Sequence, residues 1–359
     1  MQSFRVELGA NAHEVYVGAG LLDELGAIAI RAGLRPGRAA LVTDANVAKL
    51  YARRAIDSLE RAGFALTVIE IAAGEASKSL AALAILYDRM TAAEIDRAGA
   101  VFALGGGVVG DLAGFAAASY LRGIAVVQIP TTVVGQVDSS LGGKTGVNHP
   151  RAKNLIGAFH QPHAIVADVA TLATLPEREY REGFAEVIKY GAIMDAAMIS
   201  DLERDLDRIA AREPAILEAV IARSLRHKAA VVASDEREGG LRKILNFGHT
   251  LGHALEASAG YGRYLHGEAV AIGMAAAAAL SEKHGGLSAD EASRLTLLIA
   301  RAGLPTAMPP DARDDPAFLS AIRLDKKRAD GAIEFVLLDR LGHGFTRKLG
   351  IAEILAVLA

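Results

Sequence analysis

Ala98-Gly99-Ala100-Val101-Phe102-Ala103-Leu104-Gly105-Gly106-Gly107-Val108-Val109-Gly110-Asp111 is the stretch whose reading decides the fold. Ala98 to Leu104 is a short apolar run that reads as a buried strand, and Val108 to Tyr120 reads as the helix after it. Between them Gly105 to Gly110 fits G-x-G-x-x-G, where backbone N–H groups at a helix start can cradle a pyrophosphate. The match departs from the usual dinucleotide fingerprint. It follows a later strand, and no Asp or Glu lies between Leu112 and Val137, so the ribose-binding acid about 20 residues on is missing. Asp44, at the end of an earlier strand, can take that place. The plainer reading is a tight turn that needs glycine for packing alone.

Outward from this stretch the pattern repeats. Phe4-Arg5-Val6-Glu7-Leu8 and Glu14-Val15-Tyr16-Val17 alternate about Gly9-Ala10-Asn11, which predicts an antiparallel hairpin. Helices are expected over Leu21–Ala32, Val47–Ala62 (capped by Asn46) and Ser77–Thr91. Strands are expected over Ala39–Val42, Phe64–Ile71 and Ile124–Ile129. Strands alternating with helices make a parallel sheet of Rossmann-like α/β type, with ligands at the carboxyl ends of the strands. The motifs fall there: Thr43-Asp44, Gly74-Glu75, the glycine turn, and Pro130-Thr131-Thr132. Past Pro176 helical patterns dominate, with one strand expected over Ala332–Leu338 pairing near Gly344-Phe345. The reading is therefore an α/β domain over 1–175 and a mostly α-helical domain over 176–359, since 359 residues exceed a single core.

Composition narrows the function. A net charge of -3 gives no global attraction to nucleic acid, so anion binding must come from local clusters. With no cysteine, disulfides and thiolate chemistry are excluded, which fits a cytoplasmic protein. The N-terminus, Met1 to Glu7, has no apolar signal core. The longest apolar run, Ala269 to Leu280, is too short to span a bilayer and reads as a buried helix, so no membrane partner is expected.

The chemistry-bearing residues lie in three clusters. In the second half, Asn246-Phe247-Gly248-His249-Thr250-Leu251-Gly252-His253 precedes Leu265-His266-Gly267-Glu268. His249 and His253, four apart, share a helix face and are a metal-ligand pair by spacing, or else two ordinary surface histidines. Glu186 and Lys189 lie three apart on an expected helix, so Glu186 is either the acidic ligand that joins two histidines or half of a solvated pair. Asp138, Gly142-Gly143-Lys144, Asn148 and Lys153-Asn154 gather cations and amides amid glycine turns, as an anion site needs; Lys228, Arg242 and Lys243 add more cations.

Together these stretches, with Asp325-Lys326-Lys327, resemble the 3-dehydroquinate synthases of the sugar-phosphate cyclase superfamily, in the same order along most of the chain. The resemblance implies a lyase of the shikimate pathway that uses NAD and one divalent metal, zinc or cobalt, on a small sugar phosphate. It implies Glu186, His249 and His266 as metal ligands, which moves His253 to a hydrogen-bonding or proton-handling role. For NAD it implies Asp44, Asn46, Glu75, Lys78, Gly107, Val108, Val109, Gly110, Asp111, Thr131, Thr132, Lys144, Lys153, Thr171, Leu172 and Thr174. For substrate it implies Asp138, Lys144, Asn154, Lys189, Lys228, Arg242, Asn246, His253, Lys326 and Lys327, with Arg122 reaching a neighbouring protomer of a homodimer. A polyol dehydrogenase shares the glycine motif but does not account for Lys144, Lys189, Arg242, Lys243 and Asn246 together. A sister cyclase and a non-catalytic relative are the other readings; none of the metal ligands or phosphate-binding cations is missing.

Overall fold

The strand Ala100–Gly105 is buried along its whole length, as its unbroken apolar run requires. It lies inside a sheet of the computed structural model, which describes residues 1–236, 239–260, 262–325 and 332–358. In chain order the strands are β1 Gln2–Val6, β2 His13–Gly18, β3 Arg38–Asp44, β4 Ala65–Ile71, β5 Ala100–Gly105, β6 Ala125–Pro130, β7 Lys144–His149, β8 Ala152–Phe159 and β9 Ala164–Asp168. Seven of them form one sheet in the order β1-β2-β9-β6-β5-β3-β4; β1 is antiparallel to β2 and the other pairs are parallel. Successive side chains of β3 and β5 point to opposite faces. Leu41, Phe102 and Leu104 join the core with Leu22, Leu25, Ile28, Leu59 and Phe64 on one side. Val42, Val101 and Ala103 join Leu86, Met90, Leu112 and Ala116 on the other. Losing the Phe102 ring from such a core costs about 3–5 kcal/mol.

The register places the motifs. Thr43 is level with Leu104 and with Glu70, and Gly105 is level with Pro130. The strand order reverses between β3 and β5, so Asp44 and the glycine turn flank the switch point at the carboxyl edge of the sheet.

The chain divides into two compact units: Met1–Leu175 with Arg212–Glu236, and Pro176–Ala211 with Arg237–Ala359. The expected single cut after residue 175 differs from this division. The helix Pro214–Ser234 packs in the first unit against β1 and β2, burying Leu217, Ile221, Leu225 and Val232. Three more expectations change in the first unit. Asp44, not Asn46, caps the turn after β3, accepting from the amides of Asn46 at 2.8 Å and Val47 at 3.1 Å. The expected helix Val47–Ala62 carries a wide π turn at Ala48–Ala52 before Arg53–Arg61. The β7–β8 hairpin and β9 are additions to the expected elements; β7 and β8 are each interrupted by a glycine and carry no sustained alternation, and Ala164-Ile165-Val166-Ala167 is an apolar run too brief to declare its type.

The second unit is mostly helical, as expected. Its α-helices among the described residues are Glu177–Glu182, Phe184–Met194, Ala196–Ala210, His249–Ala259, His266–His284, Ala289–Arg301, Pro316–Asp325 and Ile351–Leu355. A hairpin of β10 Ile333–Arg340 and β11 His343–Leu349 follows, with Leu338 level with Gly344. The Ala269–Leu280 run lies in the helix His266–His284 and is buried on nearly every side. No helix among the described residues is long and apolar enough to cross a membrane.

Candidate active site

In the second unit the helices His249–Ala259 and His266–His284 come very close. A side chain at Gly273 would place its Cβ 2.0 Å from the carbonyl oxygen of Gly248, and one at Gly252 would stand 3.0 Å from that of Ala269. Gly248 itself has φ +81, which starts the first helix directly on His249. The start of the second helix is pinned from outside. Glu182 accepts from the amide of Gly267 at 2.6 Å, and Arg178 makes two 2.7 Å hydrogen bonds to Glu268. Close backbones and a fixed helix start bring His249 and His266 together, with ring centroids 5.4 Å apart.

The third group arrives from the helix Phe184–Met194, all of which is buried except Met194. Glu186 is fully buried, and one of its oxygens lies 3.4 Å from Nε2 of His249 and 3.4 Å from Nε2 of His266. Its other oxygen pairs with the buried Lys189. Neither oxygen has a hydrogen-bond partner of ordinary geometry. Burial alone would raise the Glu186 carboxyl, but the charge of Lys189 and the two imidazoles hold it well below the usual carboxylate range. A dehydrated carboxylate facing two imidazole nitrogens, all within 4.8 Å, is a donor set that suits a zinc-like cation. The other ring nitrogen of each histidine is committed. Nδ1 of His249 lies 3.2 Å from the carbonyl of Phe247, and Nδ1 of His266 lies 3.3 Å from Oε2 of Glu256. Burial opposes a proton on His266, yet its contacts with Glu186 and Glu256 prevail and raise it to about 10. His253 is lowered, first by desolvation and then by the charges of His249 and His266.

The i,i+4 pair His249 and His253 does not enter one donor set. His253 instead converges with Glu256 and His266 in a second, overlapping set. Arg242 is buried, at 2 % exposure, and lies with Asn246 in the turn Leu241–Asn246. Lys243 pairs with Glu334 at 2.7 Å. Lys326 and Lys327 lie outside the described residues.

In the first unit the candidate nucleotide residues gather on four neighbouring strand ends. The glycine turn opens the helix Gly107–Ser119, whose N-cap Gly106 offers no side chain to the first-turn amides. Its glycines also pack tightly: a Cβ at Gly106 would meet Thr132 at 2.9 Å, and one at Gly110 would meet Gln128 at 2.7 Å. The packing reading of the motif therefore holds, and the uncapped helix start leaves its first-turn amides without a side-chain acceptor from the N-cap. The Lys78 ammonium, 5 % exposed, bridges Asp111 and Asn154. Burial raises the Asp111 carboxyl and Lys78 offsets part of that. Asn154 has φ +54, a left-handed conformation its short side chain tolerates, and its backbone N–H donates to Oδ1 of Asn148 at 2.9 Å. Asn148 in turn donates to Glu75 at 2.7 Å. Lys228 holds Asp138, with Nζ 3.0 Å from its carboxylate and 2.6 Å from its carbonyl. Thr131 donates its amide to Gly105, and the Thr132 hydroxyl accepts from Gly135. Tyr51 joins the carbonyl of Thr171 at 3.0 Å and the hydroxyl of Thr174 at 2.6 Å, while Leu172 is buried beside them. Lys144 and Lys153 lie on β7 and β8, and Arg122 has φ +68 in the exposed turn Tyr120–Arg122.

Glu256 and Glu182 lie outside the residues that the sequence singles out. A signal for Glu256 was available, since it lies seven residues after His249 on one helix face.

The model of the 3-dehydroquinate synthase N-terminal family matches residues 68–182, and that of the C-terminal family matches residues 183–328. The chain belongs to the 3-dehydroquinate synthase family. A 3-dehydroquinate synthase of Symbiobacterium thermophilum is 53% identical over 342 residues, covering 94% of each chain. One from Citrifermentans bemidjiense is 48% identical over 341 residues, covering 95% of this chain and 93% of that one. Among solved structures, a 2-epi-5-epi-valiolone synthase from Streptomyces hygroscopicus with NAD+ and Zn2+ bound superposes with a TM-score of 0.87. It is 30% identical, over 96% of this chain and 95% of its own. Membership of the family gives the buried Glu186 set and the glycine turn a common context.

Proposed function

We propose that this chain is itself a 3-dehydroquinate synthase, converting 3-deoxy-D-arabino-heptulosonate 7-phosphate to 3-dehydroquinate and phosphate. The observation that carries the reading is the buried Glu186 carboxylate facing His249 and His266 beside Lys189, in a chain about half identical to named synthases over nearly its whole length. A C–H next to the phosphate-bearing carbon is not acidic until the neighbouring hydroxyl is oxidised. When bound, NAD supplies that reversible oxidation, and a divalent metal, zinc or cobalt, on Glu186, His249 and His266 supplies Lewis-acid polarisation of substrate oxygens.

The chain's own residues do the rest. In the first unit Asp44, Asn46, Glu75, Lys78, Gly107 to Asp111, Thr131, Thr132, Lys153 and the Thr171–Thr174 turn hold the dinucleotide. The capless helix start takes the pyrophosphate. Lys144 and Asn154 there, and separately Arg242, Lys326 and Lys327 in the second unit, are groups suited to phosphate and carboxylate. Asp138, fixed by Lys228, orients a hydroxyl. Lys189, Asn246 and His253 orient hydroxyls and carry protons. The enzyme is read as a cytoplasmic homodimer in which Arg122 serves a neighbouring protomer.

The test is phosphate release from the heptulosonate phosphate with catalytic NAD and zinc, following NADH absorbance in the same cuvette. Stoichiometric phosphate with no net NADH is expected. NADH accumulating without phosphate would make the protein a dehydrogenase, and neither signal would point to a sister cyclase. Lys144→Ala should lower kcat/KM by about one to two decades while NAD still binds, since a hydrogen bond to a charged group is worth about 1.5–3 kcal/mol.

A further inference from the structure

We infer that Glu256 is a positioning residue for His266, fixing the ring so that its Nε2 faces Glu186. The inference rests on the metal reading above and extends it to a residue outside the ligand set. Three observations carry it. Glu256 is 8% exposed, so its carboxylate is not a solvated surface group. Its Oε2 lies 3.3 Å from Nδ1 of His266, while Nε2 of the same ring lies 3.4 Å from Glu186. In the neutral ring that a cation would bind, an acceptor on Nδ1 selects the tautomer that carries its proton there and leaves the Nε2 lone pair free for the cation.

The same device occurs at the other histidine, where Nδ1 of His249 faces the carbonyl of Phe247 at 3.2 Å. His249 is tied by its own backbone two residues away. His266 opens a helix at Leu265 and has no such local carbonyl contact among the described residues, so a carboxylate on the neighbouring helix takes the role. Glu256 lies two turns beyond His249 on the helix His249–Ala259. One helix thus offers a nitrogen at its first residue and orients the second imidazole from its far end. Outer partners of this kind typically change metal affinity by about 10–100-fold.

The experiment is metal titration of chelator-stripped protein, by competition with a chromophoric chelator, for wild type, Glu256→Gln, Glu256→Ala and Glu186→Gln. Cobalt spectra report on ligand geometry independently of turnover. Glu256→Gln keeps an acceptor and should weaken zinc binding by a few-fold; Glu256→Ala should weaken it by about 10–100-fold and shift the cobalt spectrum. The metal-free melting temperature of Glu256→Gln should stay near wild type. Wild-type affinity and an unchanged cobalt spectrum in both Glu256 variants would overturn the inference; if Glu256→Ala does not fold, an unchanged Glu256→Gln overturns it alone. A wild type that takes up no metal would instead overturn the metal reading. Metal retained by Glu186→Gln but lost from Glu256→Ala would make Glu256 a ligand, with His253 and His266, and overturn the positioning role.

Discussion

The two polar clusters of this chain differ in how their buried charges are satisfied. In the first unit Lys78, Asp111, Asn154, Asn148 and Glu75 form a connected network in which donors meet acceptors. In the second, the Glu186 carboxylate is sealed from solvent with ion-pair partners but no hydrogen bond of ordinary geometry. A network that is already satisfied is a rigid wall against which a ligand is placed. A carboxylate facing imidazole nitrogens without good hydrogen bonds is an arrangement whose compensation comes from a cation. Residue types alone do not separate the two cases, since both clusters hold a lysine and a carboxylate.

The strongest way to break this contrast is to remove the carboxylate. Glu186→Ala, His249→Ala and His266→Ala should each lose bound metal and about three decades of turnover, measured by metal analysis and phosphate release. Glu186→Ala also removes the carboxylate that faces the buried Lys189 ammonium, at about 3–5 kcal/mol of stability. Wild-type metal content in all three variants would remove the distinction between the clusters. Next in size is Lys78→Met, which strands Asp111. It should weaken NAD binding by about tenfold, cost about 1–3 kcal/mol, and leave metal content unchanged; loss of metal instead would show that the clusters are not independent. Gly273→Ala acts on geometry alone, pushing a Cβ against the carbonyl of Gly248. It should cost about 1–3 kcal/mol in thermal unfolding and weaken metal binding, without touching NAD.

The smallest effect sets the background. Glu203 and Arg294 pair at 2.7 Å with side chains 25% and 41% exposed. Arg294 holds the Glu203 carboxyl below its ordinary value, against a smaller effect of burial. The sign follows: this stabilisation is present above the unfolded glutamate value and fades as pH falls through the lowered folded one. Glu203→Gln should therefore cost less than about 0.5 kcal/mol at neutral pH and nothing in strong acid, read as a melting-temperature difference across pH.

Much of the first unit was legible because its elements announce themselves locally. The unbroken run Ala100 to Leu104 can only be buried, and the glycines after it mark a turn where a Cβ does not fit. The reading missed β9 because Ala164-Ile165-Val166-Ala167 is too short to carry a period, and its place between β2 and β6 is a long-range pairing. Asp44 and Asn46 both suit the cap position by residue type. Only the backbone path shows that Asp44 reaches the amides.

At the site, the helical spacing of His249 and His253 pointed to a pair on one face. The resemblance pointed to His266, and the structure brings His249 and His266 onto one carboxylate. Spacing describes one helix, whereas this donor set is drawn from three.

By itself the sequence determined the two kinds of architecture, the strand ends that carry the polar motifs, and the residue types available for chemistry. Those depend on local periodicity, turn chemistry and composition, which act over a few residues. The tertiary structure alone decided that the helix Pro214–Ser234 belongs to the first unit, that Lys78 meets Asp111 and Asn154, and that Glu256 holds the far side of His266. Each is a contact between segments distant in sequence or on different helices, set by how closely backbones approach, and no local pattern encodes that distance.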